Sequence, residues 1–448
     1  MTIPTFGTDG IRGRAGTELT SVVAEALGRA ASEILDGDRF FIGSDTRESG
    51  PHLVEALTSG LSHNGVAVED LGVVPTPAVA WMAADHGVAA AMISASHNPY
   101  HDNGIKLFAR GGLKLRDDIE AKIQSRYMEL AEEAGVAGDE AAEPPPYEPG
   151  PPDGSRVGGW IDSIIGSVGP RALDRMHLVL DCANGAAYGV APEIFRELGA
   201  DVTVIGAEPD GRNINDGVGS TAPDKLIKCV LSTGADAGLA FDGDADRLIA
   251  VGHDGHIIDG DRVLGLLAAD WAANGRLRDN TVVVTVMTNL GFHRAMAASQ
   301  IDVLTTAVGD RYVLAALDDH KLSLGGEQSG HVICRDIATT GDGILAGVQL
   351  LDVVARHGEL LSDMADAVME TVPQILRNVT LPVRNPNAAE AIAAEVDEVV
   401  AAFGDEGRVV VRPSGTEPLL RIMVEHLDQA TAKKAVDELV TAAERILG

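Results

Sequence analysis

Two stretches of this chain hold residues whose types and spacing suit chemistry. The first is residues 92–108, M-I-S-A-S-H-N-P-Y-H-D-N-G-I-K-L-F, which brings a hydroxyl (Ser96), an imidazole (His97) and an amine (Lys106) onto one predicted loop. No G-x-S-x-G elbow surrounds Ser96. Residues 96 and 97 are adjacent, so in extended chain their side chains point to opposite sides and His97 is a poor base for Ser96. A hydroxyl that is never strongly activated can still carry a phosphoryl group, because phosphoryl transfer depends mostly on positioning and on cations that neutralise charge. The plainer alternative is a polar turn whose Ser and Asn satisfy backbone groups.

The second stretch is residues 241–247, F-D-G-D-A-D-R. Asp242, Asp244 and Asp246 alternate, so in extended chain their carboxylates share one side, and three hard oxygen ligands suit Mg2+. An EF-hand is excluded, since Arg247 stands where that loop needs Gly and His253 where it needs Glu. A solvated acidic turn is the alternative, although three crowded carboxylates without a cation repel one another. A divalent cation with three carboxylates carries about −1, and a phosphoserine oxygen as a further ligand takes the site to about −3. Cations must then lie close, and the candidates are Arg247, Lys106, His97 and Arg12, each otherwise an ordinary surface charge. Arg12 belongs to F-G-T-D-G-I-R-G-R, where glycines let backbone approach a ligand and a guanidinium fork suits phosphate.

Two further loops present ligand-binding groups. In G-G-E-Q-S-G-H, residues 325–331, Glu327 accepts, the Gln328 amide donates and accepts, and Ser329 adds a hydroxyl, a set suited to sugar hydroxyls or to a polar connection between strands. Arg412, Ser414, Gly415 and Thr416 in R-P-S-G-T, with Arg421 beyond, offer backbone N–H groups, hydroxyls and two guanidiniums. That is an anion nest, or else a simple turn.

The elements that must hold these loops are legible from periodicity. Residues 88–93 form a continuous small-apolar run, the pattern of a strand buried on both faces, and Asn98-Pro99 forces a turn that leaves Ser96 exposed just past its end. Strands at 39–43, 66–71, 177–180, 202–205, 237–240, 281–286, 302–305 and 321–324 alternate with helices such as 51–62 and 261–271, which argues for mostly parallel α/β sheets. Openings at Ser44 (S-D-T-R, residues 44–47), Asp181 and Thr288 each follow a strand and precede a helix, a faint sign of three related modules. The Pro-, Gly- and acid-rich residues 138–155 read as a linker. From about residue 372, helical runs at 388–403 and 429–447 flank V-V-V-R-P-S-G-T-E-P-L-L-R-I-M-V-E, a smaller α+β domain. The expected domains are 1–150 with Ser96, 156–255 with the three aspartates, 256–368 with the Glu327 loop and 369–448 with the Arg412 loop.

At 448 residues the chain exceeds a single core. Its net charge of −32, from 67 acidic against 35 basic residues, argues against a nucleic-acid backbone or an acidic membrane as partner, and requires any phosphate site to be locally basic. No apolar run reaches membrane length and the first residues lack a signal peptide's basic and apolar regions, so the cytoplasm is the expected location. Cys182, Cys229 and Cys334 are far apart, which argues against disulfides or a cysteine-rich zinc site and for small buried residues.

The motifs S-A-S-H-N-P, D-G-D-A-D-R, G-E-Q-S-G-H and R-P-S-G-T-E-P, in this order, resemble those of the α-D-phosphohexomutase superfamily, and the match covers the whole chain. The opening F-G-T-D-G-I-R-G, the run I-S-A-S-H-N-P-Y-H-D-N-G-I-K and Gln328 resemble its amino-sugar branch. The resemblance implies three α/β domains and a TATA-binding-protein-like α+β domain around a central cleft. It implies that Ser96 is phosphorylated, that Asp242, Asp244 and Asp246 hold one Mg2+ together with that phosphate, and that Lys106, Arg12 and His97 are catalytic. By the same resemblance Arg247, Glu327, Gln328, Ser329 and His331 meet the sugar, while Arg412, Ser414, Gly415, Thr416 and Arg421 bind the distal phosphate. The implied reaction converts glucosamine 6-phosphate to glucosamine 1-phosphate through a phosphoserine enzyme and glucosamine 1,6-bisphosphate, feeding UDP-N-acetylglucosamine synthesis, in a monomer or homodimer. Glucose or mannose phosphates are the nearest alternative substrates; a metal phosphatase and a noncatalytic sugar-phosphate sensor are rivals of other classes. Lys106 is the expected general base, on the argument that a desolvated lysine among cations loses its proton.

Overall fold

The computed structural model describes residues 3–7, 9–135, 154–414 and 418–448. The linker-like stretch therefore lies outside the described residues except for Gly154 and Ser155, which open a short 3-10 turn at Gly154–Val157.

Strand Ala89–Ile93 is buried at every residue, as its unbroken apolar pattern requires, and it sits inside a sheet. Arg39–Ser44 pairs with it in parallel on one side and Asp102–Ala109 antiparallel on the other. Ala67–Val73 extends the parallel half; Gly10–Arg14 and Phe6–Gly7 extend the antiparallel half. The second sheet repeats this plan, with Asp201–Ile205, His177–Asp181 and Ala237–Phe241 parallel and Leu248–Gly252 antiparallel to the last of them. So does the third, with Asp302–Thr306, Thr281–Thr285 and Leu324–Gly326 parallel and Val332–Cys334 antiparallel.

The sheets are thus mixed rather than mostly parallel. The cause is the loops themselves: Ser96, the three aspartates and Glu327 each lie in a short connection from the last parallel strand, and a connection that short can only reverse the chain, since a parallel return needs a long crossover. Each of the first three domains consequently presents one chemical loop at the same topological place. The openings at Ser44, Asp181 and Thr288 are the corresponding first-strand connections, so the faint repeat in the sequence reflects a real one.

One hydrophobic core runs through all three α/β domains, joining Phe41 and Phe108 of the first to Trp160 and Phe241 of the second and Trp271 and Leu345 of the third. The last domain has its own core around Leu420, Ile422, Val436 and Leu439. It packs Gln429–Leu447 on a three-stranded antiparallel sheet of Gln374–Thr380, Leu419–His426 and Gly407–Pro413. Its join to the third domain is polar: buried Glu425 accepts from the Leu290 N–H at 3.2 Å and from the Asn289 amide at 3.1 Å, and pairs with Arg408. Apolar packing therefore joins the first three domains, and hydrogen bonds fasten the fourth to the third.

Two predicted elements differ. Residue 321 does not begin a strand; Lys321, at φ 55°, is the left-handed cap that ends helix Asp310–His320, and the strand starts at Leu324. The helical run at 388–403 is continuous only over Ala393–Phe403, after a 3-10 turn at Glu390–Ile392. Cys182 and Cys334 are buried as expected, while Cys229 is part-exposed. No helix among the described residues is long and apolar enough to cross a membrane.

Candidate active site

Ser96 is not an exposed loop residue. It is 1% exposed and adopts φ 53°, the left-handed region that a residue with a Cβ enters only when its surroundings hold it there. Its N–H donates to Ser94 Oγ at 2.9 Å, and Ser94 Oγ donates in turn to the buried carboxylate of Asp45 at 2.7 Å. Because residue 96 is not extended, the His97 ring does not point away; its Nδ1 lies 3.3 Å from Ser96 Oγ. Burial, then the nearby Arg247 and Arg12, push the His97 imidazole down to about 4, so it is neutral at neutral pH.

The three aspartates converge, but through a turn rather than an extended strand. Ala245 has φ 57° and its N–H closes on Asp242 O at 3.0 Å. The turn gathers one oxygen from each of Asp242, Asp244 and Asp246 within 4.8 Å, all three residues being buried. Ser96 Oγ donates to Asp242 at 2.6 Å, which brings the two chemical stretches of the sequence into one site. Thr76 donates its hydroxyl to Asp244 at 2.7 Å. Asp244 Oδ1 and Asp246 Oδ1 are buried and have no hydrogen-bond partner among the described residues. Carboxylate oxygens left without a hydrogen bond in a buried cluster are costly, and a hard cation is a ligand that would satisfy them. The cluster fits a divalent metal.

Lys106 lies on strand Asp102–Ala109, not on the loop, and its Nζ reaches Asp244 at 2.8 Å, Asp246 at 3.2 Å and Asp9 at 2.8 Å. Burial alone would lower its affinity for the proton, but these carboxylates outweigh it and hold the ammonium well above its usual range. The expectation of Lys106 as a base rested on cationic neighbours; Arg12 is one, but the groups that its Nζ touches are carboxylates. Asp242 is the least compensated of the triad: burial, then Asp246 and Asp244, push it well above the carboxylate range. Burial acts the same way on Asp246 but is overcome by Lys106 and His331, which hold it well below.

Arg12 pairs with Asp9 at 2.8 Å, and Arg247 lies with its Nε 3.8 Å from Asp246. Both guanidiniums act on His97, so Arg12 and Arg247 lie near Ser96 as expected, whereas neutral His97 is not one of the cations there.

The sugar loop divides. Half-buried Glu327 accepts the Gly309 N–H at 3.0 Å and acts electrostatically on both Arg247 and Arg412. Gln328 turns its amide to Asp259 at 3.3 Å while its carbonyl accepts the Gly260 N–H at 3.0 Å, which anchors the loop to the start of helix Gly260–Ala273. Ser329 is exposed. At Gly330, φ 91°, a Cβ would come 2.1 Å from Leu248 O, so only glycine lets this loop rest on the strand that follows the aspartates. His331 is 2% exposed and lies between Asp246 and Asp310, its ring nitrogens 3.7 Å from each.

Arg412 and Arg421 are directly opposed on neighbouring strands. Burial, then Arg421, lower the Arg412 proton affinity, and Arg412 Nε finds no hydrogen-bond partner among the described residues. Ser414 donates its N–H to Leu419 O at 2.8 Å. Gly415 and Thr416 lie outside the described residues.

Sequence reasoning missed Asp9, Thr76 and Lys114. Lys114 ties Asp9, at 3.0 Å, to Asp310 of the third domain. Asp9 stands within the F-G-T-D-G opening and so had a signal; Thr76 and Lys114 are single polar residues with no local pattern.

Comparison with known proteins places these loops in a family context. Family models for phosphoglucomutase/phosphomannomutase match residues 4–134 (alpha/beta/alpha domain I), 159–255 (domain II), 259–372 (domain III) and 376–442 (C-terminal domain). A phosphoglucosamine mutase of Leifsonia xyli subsp. xyli is 46% identical over 469 residues, covering 99% of both chains. One from Thermobifida fusca is 48% identical over 446 residues, covering 97% of this chain and 96% of the relative. Among solved structures, a phosphoglucomutase/phosphomannomutase family protein from Burkholderia thailandensis superposes with TM-score 0.79 at 26% identity, covering 98% of each chain. An Aspergillus fumigatus N-acetylphosphoglucosamine mutase, solved with GlcNAc-6P and magnesium, shares the fold with TM-score 0.67 at 18% identity, covering 100% of this chain and 96% of that one.

Proposed function

The chain belongs to the phosphoglucomutase/phosphomannomutase family, and from that premise we propose that it interconverts glucosamine 6-phosphate and glucosamine 1-phosphate through a phosphorylated Ser96. It is an isomerase of phosphosugars. The observation that carries the mechanism is Ser96 Oγ, 2.6 Å from Asp242 in a buried three-aspartate cluster, with a separate pair of arginines on the last domain.

Phospho-Ser96 gives its phosphoryl group to the sugar 1-hydroxyl: the bond from phosphorus to Ser96 Oγ breaks, one to the sugar oxygen forms, and the hydroxyl proton leaves. The glucosamine 1,6-bisphosphate then turns over, and Ser96 Oγ takes the 6-phosphoryl group. Asp242, Asp244, Asp246 and a phosphoseryl oxygen would hold one Mg2+, which when bound neutralises charge on the transferring group. Lys106, Arg12 and Arg247 stabilise the remaining negative charge, and neutral His97, beside Ser96 Oγ, is the proton acceptor that the geometry offers. Glu327 and Ser329 meet the sugar, and Arg412, Ser414, Gly415, Thr416 and Arg421 hold the phosphate that is not reacting.

A coupled assay on glucosamine, glucose and mannose phosphates tests this reading. The highest kcat/KM is expected for the amino sugar, with no stoichiometric release of free phosphate; a preference for glucose or mannose would move the substrate, and phosphate release would make the chain a phosphatase.

Arg421→Ala is expected to raise KM about tenfold or more with kcat within about threefold, because a contact to the nonreacting phosphate persists from ground state to transition state. Steady-state kinetics check it, and a fall in kcat at constant KM would put Arg421 at the reacting end. For Gln328→Met, the amide's bond to Asp259 gives a loop anchor rather than a reader of the amino group. Losing one such bond of about 1 kcal/mol should lower kcat/KM a few-fold for glucosamine 6-phosphate and glucose 6-phosphate alike. A loss confined to the amino sugar would assign Gln328 to direct recognition.

A further inference from the structure

Ser96 is held in a conformation it would not choose, and the groups that hold it come from two domains. Arg47, 0% exposed and paired with Asp45 at 2.9 Å, donates through Nη2 to Ser96 O at 3.0 Å and Asn98 O at 2.8 Å, and through Nη1 to Asp102 O at 2.9 Å and to Pro99 O. From the second domain, Asn215 Nδ2 reaches the same two carbonyls, Ser96 O at 3.0 Å and Asn98 O at 3.2 Å. Asn215 is itself left-handed, at φ 58°, and its N–H donates to Ala183 O at 2.9 Å. The seam is closed tightly: a Cβ on Gly243, between two of the aspartates, would stand 2.5 Å from Ser96 O and 3.0 Å from Asn215 Nδ2.

We propose that Asn215, together with Arg47, is a positioning residue for phosphoryl transfer: the two side chains grip the carbonyls on either side of His97 and so keep Ser96 Oγ aimed at Asp242. The inference rests on Ser96 being the phosphoryl carrier. A mutase uses the same Oγ twice per turnover, as donor and as acceptor, with the sugar in opposed poses, so the carrier's position must not depend on which pose is bound. A guanidinium alone anchors the loop to its own domain. The Asn215 amide registers it against the domain that carries the aspartates. Without that amide the loop stays tied to its own domain through Arg47 but loses its register against the aspartates, which lets Oγ shift from the cluster. The effect should fall on the rate, since displacing a reacting atom by about 1 Å costs up to about a hundredfold while substrate contacts on the other loops persist.

The test is Asn215→Ala and Asn215→Asp, read by steady-state kinetics and by single-turnover phosphorylation of Ser96 from glucosamine 1,6-bisphosphate, followed by peptide mass spectrometry. Asn215 is half-buried, so both variants are expected to fold. Expected is a slowing of both transfer and kcat by about ten- to a hundredfold with KM changed less than about threefold, Asp being worse than Ala because alanine only removes the donor whereas a carboxylate also repels the two carbonyl oxygens. A merely structural role would lower the active fraction, titrated by the amount of Ser96 that accepts phosphate, while each active molecule kept its normal rate; that result, or unaltered rates in both variants, overturns the inference. If Asn215→Asp fails to fold, the alanine variant decides alone. Should the unaltered chain carry no phosphate on Ser96, the carrier reading fails and this inference with it; phosphate on Ser96 with unchanged variant kinetics removes this inference only.

Discussion

Ser96→Ala is expected to lower mutase turnover at least about ten-thousandfold, because the group that carries the phosphoryl between two sugar oxygens has no substitute in the site. Its fold should survive at a cost of about 1–2 kcal/mol, the value of one buried hydrogen bond, since Ser96 Oγ donates to Asp242 at 2.6 Å. That cost is larger than an exposed loop hydroxyl would carry, and it follows from Ser96 being 1% exposed. Activity assays beside thermal melts of both proteins check the pair of expectations. Retention of a tenth or more of the activity by the folded variant would remove Ser96 as carrier.

The second large effect is Asp242→Asn, and it should have opposite signs on rate and on metal-free stability. Lys106 pairs with Asp244 and Asp246, whereas among the described residues Asp242 has no ion pair and accepts the Ser96 hydroxyl and the Arg247 N–H, at 3.2 Å, with the Arg247 charge acting on it from farther off. Removing the least compensated charge from three carboxylates gathered within 4.8 Å should leave the metal-free protein as stable as the unaltered chain or more so. The same change removes a charged ligand, so kcat should fall about a hundredfold or more and the midpoint for Mg2+ activation should rise. Stabilisation by the ion should shrink as well: a protein at a hundred times its dissociation constant gains about 2.7 kcal/mol, and the variant should show little of it. Melts with and without Mg2+, alongside a Mg2+ titration of the rate, read both signs. A variant that is destabilised without metal and active at ordinary Mg2+ would place the cation elsewhere.

What was legible in the sequence was mainly local. The apolar run ending at Ile93 announced a strand buried on both faces, and the alternation of Asp242, Asp244 and Asp246 announced a carboxylate cluster that could hold a cation, because strand burial and ligand chemistry are written in neighbouring residues. The conformation of the loops was not. Ser96 and Ala245 are left-handed without being glycine, and no residue preference signals that; the conformation is imposed by Arg47, Asn215 and the turn closed on Asp242, which are distant in sequence or cryptic in it. For the same reason His97 was read as facing away from Ser96. The mixed sheets were hidden because the antiparallel strands after each loop look, residue by residue, like any buried strand. Lys106 shows the limit of reasoning from residue type: its role turns on whether cations or carboxylates surround it, and Asp9, one of the three that do, lies 97 positions away by numbering (106 against 9).

The most direct measurement follows the phosphoryl group itself. The chain, labelled with radioactive phosphate on Ser96, is mixed with excess unlabelled glucosamine 6-phosphate, and protein, sugar phosphates and free phosphate are separated over the first turnovers. The mutase account predicts that label leaves Ser96 for glucosamine 1,6-bisphosphate and then for the monophosphates, while unlabelled phosphate from the sugar replaces it on the protein. Label that stayed on Ser96 while the sugar phosphates interconverted, or that appeared as free phosphate, would contradict it.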